Sequence, residues 1–235
     1  GYYSSSNLIR ACHRTNADQV DLNRNFGPAL GNGEGDWGWP NDATSTTPNG
    51  LEGTWEGSGP SSSAEAQAIE ALSANIDVVG QLDVHSFGSN IFDARGTDYQ
   101  ISQGCVPTAV SDWWPGTRNS MLQSIESAAL GQQSWSVWTS YAISGGVNNF
   151  FSAELSALTS GFEMRAGTNC GGGCTYVGCS FAPGLDDILP GVQEVEAGVN
   201  SFIDRVDGFF ATNKCDVNMD SNYDIKDIIL IVDHV

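Results

Sequence analysis

Val78–Ser86 reads VVGQLDVHS, an apolar run rich in Val and Leu that ends in a histidine and a serine. Branched apolar residues in a short run predict a buried strand. Just upstream, Ala64–Ile76 predicts a helix: Ser63 stands at the capping position, and Ile69, Leu72 and Ile76 fall on one face at helical spacing. A helix leading into a strand that ends on polar side chains is the arrangement in which open α/β sheets keep their chemistry.

Working outward, the same alternation continues. Arg118–Leu130 predicts a helix with Leu122, Ile125 and Ala129 inward and Gly131 as its stop. Leu155–Arg165, LSALTSGFEMR, predicts a second strand with Glu163 near its end. Pro190–Phe210 predicts a long amphipathic helix, with Pro190 in its first turn and Val192, Val195, Val199, Ile203, Val206 and Phe210 as its apolar stripe. Between these lies Tyr141–Phe150, YAISGGVNNF, a glycine-hinged loop of the kind that moves over a site. Residues 27–63 form a long polar and glycine-rich stretch, with Trp37, Trp39 and Trp55 available to pack it down.

Before that stretch stands Val20–Phe26, VDLNRNF. An arginine fork beside an asparagine amide can grip a planar carboxylate through several hydrogen bonds, which singles out Asn23 and Arg24. A second arginine, Arg14, precedes them by ten positions. Two arginines near one strand end suggest a pocket for an anion. His13, beside Arg14, reads as an ordinary polar neighbour.

The chain has 235 residues and a formal net charge of -19, from 28 acidic and 9 basic side chains. Such a field repels nucleic acid and anionic membranes and tolerates cations. No apolar run is long enough to span a bilayer. Three of the six cysteines, Cys170, Cys174 and Cys179, lie in the loop CGGGCTYVGC, without the paired C-x-x-C knuckles of a zinc ribbon. Disulfides in an oxidising, extracellular compartment are therefore expected, and their connectivity is open.

The last stretch changes character. Asp216, Asn218, Asp220, Asn222 and Asp224 occupy alternate positions, and Asp227 closes a twelve-residue loop before the apolar Ile228–Val232. That is the oxygen-ligand spacing of a calcium loop, with Ser221 in place of the usual glycine and Asp227 in place of glutamate. Calcium is expected on Asp216, Asn218, Asp220, Asn222 and Asp227. Residues 213–235 are thus read as one calcium-binding repeat appended to a larger domain, 1–212.

In order, RTNADQVDLNRNF, SSSAEAQAIEAL, LDVHSFG, YAISGGVNNF and GFEMRAG resemble the zinc metallocarboxypeptidases of the carboxypeptidase A/B-like family over roughly residues 10–210. The resemblance implies an α/β fold: a mixed, mostly parallel β-sheet flanked by helices, with the site at strand ends. It also implies roles. Asn23 and Arg24 hold the substrate's terminal carboxylate, Arg14 meets the developing oxyanion, and His85 is a zinc ligand. Tyr141 caps the bound terminal residue, Asn148 helps set its side-chain preference, and Glu163 is the general base. Zinc is the implied cofactor, and peptide or protein C-termini are the implied substrates.

The chain departs from the family's pattern in one respect. The family's first two zinc ligands come from a His-x-x-Glu motif, and none of His13, His85 and His234 begins one. The expectation is a domain lacking its first strands, with weak or absent zinc binding by this polypeptide. The acidic tail resembles one repeat of a dockerin, where two are usual, so a cohesin is a conceivable partner. Two other functions stay open: a peptidoglycan stem-peptide amidase on the same scaffold, and a non-catalytic module that binds carboxylate ends or docks to a cohesin.

Overall fold

The computed structural model describes residues 15–27, 47–48, 54–92, 108–129, 134–138, 145–155, 157–165, 185–213 and 228–232. Its frame is a five-stranded sheet. Strand β1 (Gly80–Ser86) lies within the apolar run Val78–Ser86, and β4 (Leu158–Met164) pairs with it in parallel. On the far side of β4 lie β2 (Asn90–Phe92), antiparallel to β4, and β3 (Ser136–Trp138), parallel to β2. Strand β5 (Ile228–Val232) runs parallel along the other edge of β1, which gives the order β3-β2-β4-β1-β5. The sheet is mixed and mostly parallel, as expected.

Among the described residues four helices accompany it: α1 (Ala64–Ser73), α2 (Thr108–Ala128), α3 (Val147–Glu154) and α4 (Leu185–Asn213). Side chains alternate along a strand, so Leu82 and Val84 of β1 point to one face. There they join Leu158 and Phe162 of β4 in a core with Met121 and Ile125 of α2 and Phe202 and Val206 of α4. Gln81, Asp83 and His85 point to the opposite face. A second cluster holds Val147 and Phe151 of α3 with Phe26, Ala66, Val78 and Ala157.

Several local expectations need correction. Helix α1 ends at Ser73, and Leu72 and Ile76 are exposed; its buried side is Ala66 and Ser73, with Ile69 half-buried beside them. Ser63 caps it as expected, accepting from Ala66 N at 3.1 Å. Helix α2 begins ten residues before Arg118, with Pro115 inside it. The Pro115–Gly116 pair reads as a break, yet the buried Trp113 and Trp114 anchor the first turns to α4, Trp113 donating Nε1–H to Arg205 O at 3.0 Å. Helix α4 likewise starts earlier, so Pro190 lies inside it; Val192 is exposed, and Phe202 takes a place in the stripe. The second half of the expected glycine-hinged loop is helical, because α3 starts at Val147.

The expected C-terminal repeat falls mostly outside the described residues, including all five calcium positions. Its apolar segment is β5, a strand of the main sheet. The six cysteines also lie outside the described residues. Among the described residues, no helix is long and apolar enough to cross a membrane.

Candidate active site at the ends of β1 and β4

His85 and Glu163 are register partners near the C-terminal ends of adjacent parallel strands. Strand alternation turns both to the same face of the sheet. Glu163 also faces Asn90 across the antiparallel β2–β4 pair. The chain leaves β1 through a cis Ser86–Phe87 peptide and turns back to the end of β4, where Gly88 N and Ser89 N donate to Met164 O. The turn presses Gly88 against Glu163: a Cβ at Gly88 would overlap Glu163 Oε2 and lie 3.2 Å from Glu163 Cβ. Only glycine leaves that carboxylate in place.

Asn23 reaches the same spot from the other end of the chain. The expected strand end at Asn23–Arg24 is a 3-10 turn, Leu22–Arg24. Asn23 Nδ2 lies 3.0 Å from His85 Nε2, and Asn23 Oδ1 accepts from Val147 N at 3.0 Å, the first residue of α3. One side chain thus joins the turn, the strand-end imidazole and the start of α3. A second bond clamps the turn to the same segment, Phe26 N donating to Gly145 O at 2.9 Å. Gly145 has φ +70°, and a Cβ there would run into the Arg24 carbonyl. Arg24 is buried, and its Nη1 donates to Asn23 O at 2.6 Å. Asn25 is fully buried and ties the turn to residues 56–63: its Nδ2 donates to Glu56 O at 2.7 Å, and its Oδ1 accepts from Ser63 N at 3.0 Å.

Asn148, in the first turn of α3, is 5% exposed, and its Oδ1 has no hydrogen-bond partner among the described residues. His85, Glu163, Asn23, Arg24 and Asn148 are therefore all described. The first three come together, Arg24 adjoins Asn23, and Asn148 follows the residue that Asn23 holds. Arg14 and Tyr141 lie outside the described residues.

Sequence reading missed Asp83. Its Oδ2 is 2.5 Å from His85 Nε2, and the residue is 1% exposed. Two positions before His85 on one strand, it was findable from alternation alone. Below the site, Arg165 makes a two-pronged ion pair with Glu194 of α4, with Nε–Oε2 at 3.0 Å, and Trp135 Nε1 donates to the same Oε2 at 3.2 Å. This pair secures the end of β4, two residues past Glu163.

Among the described residues, no three His, Cys, Asp or Glu side chains gather into a group able to hold a metal ion. A catalytic zinc takes three protein ligands. The described residues offer one imidazole at the expected place, and its Nε2 is engaged by Asp83 and Asn23. They do not fit a complete zinc site.

The comparisons with known proteins agree with the architecture. A carboxypeptidase A from Helicoverpa armigera superposes with a TM-score of 0.52 at 21% identity, over 86% of this chain and 44% of its own. Bovine thrombin-activatable fibrinolysis inhibitor, in complex with a tick carboxypeptidase inhibitor, gives 0.57 at 18% identity, over 80% of this chain and 56% of its own. A further structure of thrombin-activatable fibrinolysis inhibitor gives 0.55 at 16% identity, over 80% and 43%. The chain spans about half the length of these proteins. No curated protein matches it. The sequence signature described as zinc carboxypeptidase matches residues 1–196, more than half of the chain. The chain belongs to the zinc carboxypeptidase family.

Proposed function

We propose that the protein is a peptide hydrolase that removes single residues from free peptide C-termini, and that this chain carries its substrate-recognition side and its general base. One observation carries the reading: the 3-10 turn bearing Asn23 and Arg24 is bonded both to the strand-end His85 beside Glu163 and to the start of α3. A carboxylate held at that turn would present its peptide bond toward Glu163.

Each residue then has a task it can perform. Asn23 donates an amide N–H to the terminal carboxylate, with Arg24 as the neighbouring charge. Glu163, partly exposed at the strand end, accepts a proton from the attacking water and returns it to the leaving amine. Arg14 would meet the oxyanion and Tyr141 would cover the bound residue. The family's zinc would acidify the water, and its ligand set requires residues beyond those described, with His85 as one member. The buried Asn148 Oδ1, without a hydrogen-bond partner among the described residues, is an acceptor without charge, which favours a neutral terminal side chain able to donate a hydrogen bond over Lys or Arg. Secretion, disulfides among the six cysteines, and calcium with a cohesin partner at residues 213–235 complete the proposal.

The test is product analysis on a peptide panel with the protein in a form that holds zinc, whose ligand set extends beyond the described residues. Loss of one residue at a time from free C-termini, none from amidated ends, and none by Glu163→Gln is the expected outcome. Internal cleavage, or equal use of amidated peptides, overturns it. Faster removal of Lys or Arg than of neutral residues overturns the role given to Asn148. Release from cell-wall stem peptides alone would favour the amidase.

A further inference from the structure

We propose that Asn90 is a positioning residue for Glu163: its side-chain amide, held by the Ser136 hydroxyl on one side, donates an N–H to the Glu163 carboxylate on the other and so fixes where that carboxylate points. The catalytic consequence rests on the general-base role proposed above; the hydrogen bond does not.

Three strands bring one residue each to the same level of the sheet. Asn90 of β2 is the register partner of Ser136 in β3 and of Glu163 in β4. Register partners in neighbouring strands share a face, so a hydroxyl, an amide and a carboxylate form a row across β3, β2 and β4. The row is close at both joints. Ser136 Oγ is hydrogen-bonded to Asn90 Oδ1. A Cβ at Gly88 would overlap both Asn90 Nδ2 and Glu163 Oε2, so these two atoms border one space too small for a methyl group.

Charge and burial set the orientation of the amide. Asn90 is 3% exposed and is the one polar side chain of a strand completed by Ile91 and Phe92. A buried amide needs partners at both of its ends. A hydroxyl can donate or accept, so Ser136 alone suits either orientation. A carboxylate only accepts. With Oδ1 toward Glu163, the amide oxygen would face a negative charge. With Nδ2 toward it, the same contact is a charge-assisted bond, about twice as strong as a neutral one. The nitrogen therefore faces Glu163, Oδ1 faces Ser136, and the hydroxyl is the donor there. The two carboxylate oxygens of Glu163 have lone pairs for several bonds, so its other contacts leave room for this one.

Holding the carboxylate matters because Glu163 is partly exposed at the end of β4, and the last torsion of a glutamate is broad unless something restrains it. A general base works only within hydrogen-bond reach of the proton it takes. One N–H from Asn90 restrains one oxygen and leaves the other to face the site, without Asn90 touching the substrate.

Proton–nitrogen spectra of the nitrogen-15-labelled chain at neutral pH test the bond through the two side-chain amide protons of Asn90, assigned by their loss in Asn90→Val. The wild type should show through-space contacts from one of these protons to the Glu163 side chain. In Glu163→Gln that proton should move upfield, several-fold further than its geminal partner. Absence of the contacts, or equal movement of both protons, overturns the proposal. The wild-type spectrum decides the bond even if a variant fails to fold. Ser136→Ala changes an exposed residue and should weaken the contacts to Glu163; an unchanged Asn90 amide there overturns the role given to Ser136. In the zinc-holding form of the protein, Asn90→Val should lower kcat about ten-fold or more with KM little changed, as a misplaced base requires. An unchanged kcat, or a loss confined to KM, overturns the positioning role. A wild-type protein that trims no peptide refutes the function proposed above, and the spectra still decide whether Asn90 holds Glu163.

Discussion

Replacing Glu194 with leucine should destabilise the chain more than any other single change near the site. Glu194 has no solvent exposure and Arg165 has 8%. The carboxylate meets Nε and Nη2 of Arg165 and accepts from Trp135 Nε1. The Glu194→Leu substitution would leave a buried guanidinium without its counter-ion and an indole N–H without its acceptor. Removing one member of a buried pair costs about 3–5 kcal/mol. For a chain of this size, 1 kcal/mol moves the thermal midpoint by about 2–4 °C, so a fall of about 6–20 °C is expected. Urea and thermal unfolding followed by tryptophan fluorescence measure it. The double variant Arg165→Met with Glu194→Leu should recover most of the loss, because an apolar pair of similar volume needs no counter-ion. A single-variant loss under about 1 kcal/mol, or a double variant no more stable than the single, would refute the reasoning.

Three further substitutions probe the packing that carries the site. Gly161→Ala drives a Cβ into the Phe92 ring, which itself lies 5.8 Å from the His85 ring, and should cost about 1–3 kcal/mol in urea unfolding with shifted His85 resonances. Gly145→Ala combines a φ of +70° with a clash against the Arg24 carbonyl. It should cost over about 1 kcal/mol and disturb the amide resonances of residues 22–26 first. Ser63→Ala removes the cap on α1 and should cost about 1 kcal/mol, with amide exchange rising in its first turn and little change at the site.

Single elements were legible from periodicity, while the mixed, mostly parallel sheet was implied by the family resemblance. The strand at Val78–Ser86, the strand ending in Glu163 and the helices around Ile125 and Val206 carry patterns that local physics favours. The short strands Asn90–Phe92 and Ser136–Trp138 were not legible: three residues hold no period, and they exist because β4 offers β2 an edge and β2 offers one to β3. The early starts of α2 and α4 were hidden by Pro115 and Pro190; at Pro115, packing by the buried Trp113 and Trp114 overrides the local breaker. At the site, His85, Glu163 and Asn23 stood out by type and place. Their meeting depends on register between strands more than seventy positions apart, which only the fold supplies. Asp83 passed unnoticed because an acidic residue within an apolar run reads as alternation, although the same alternation puts it beside His85.

The most direct measurement compares one short peptide as its free acid and as its amide. Amide and side-chain resonances of the labelled chain are followed during titration with each. A single carboxylate-reading site at the strand ends predicts that the free acid shifts Asn23, His85, Val147 and Glu163 together, and that the amide does so at least about ten times more weakly, as loss of a charge-assisted, two-pronged contact requires. Equal responses to acid and amide, or shifts gathered elsewhere on the molecule, would contradict the account.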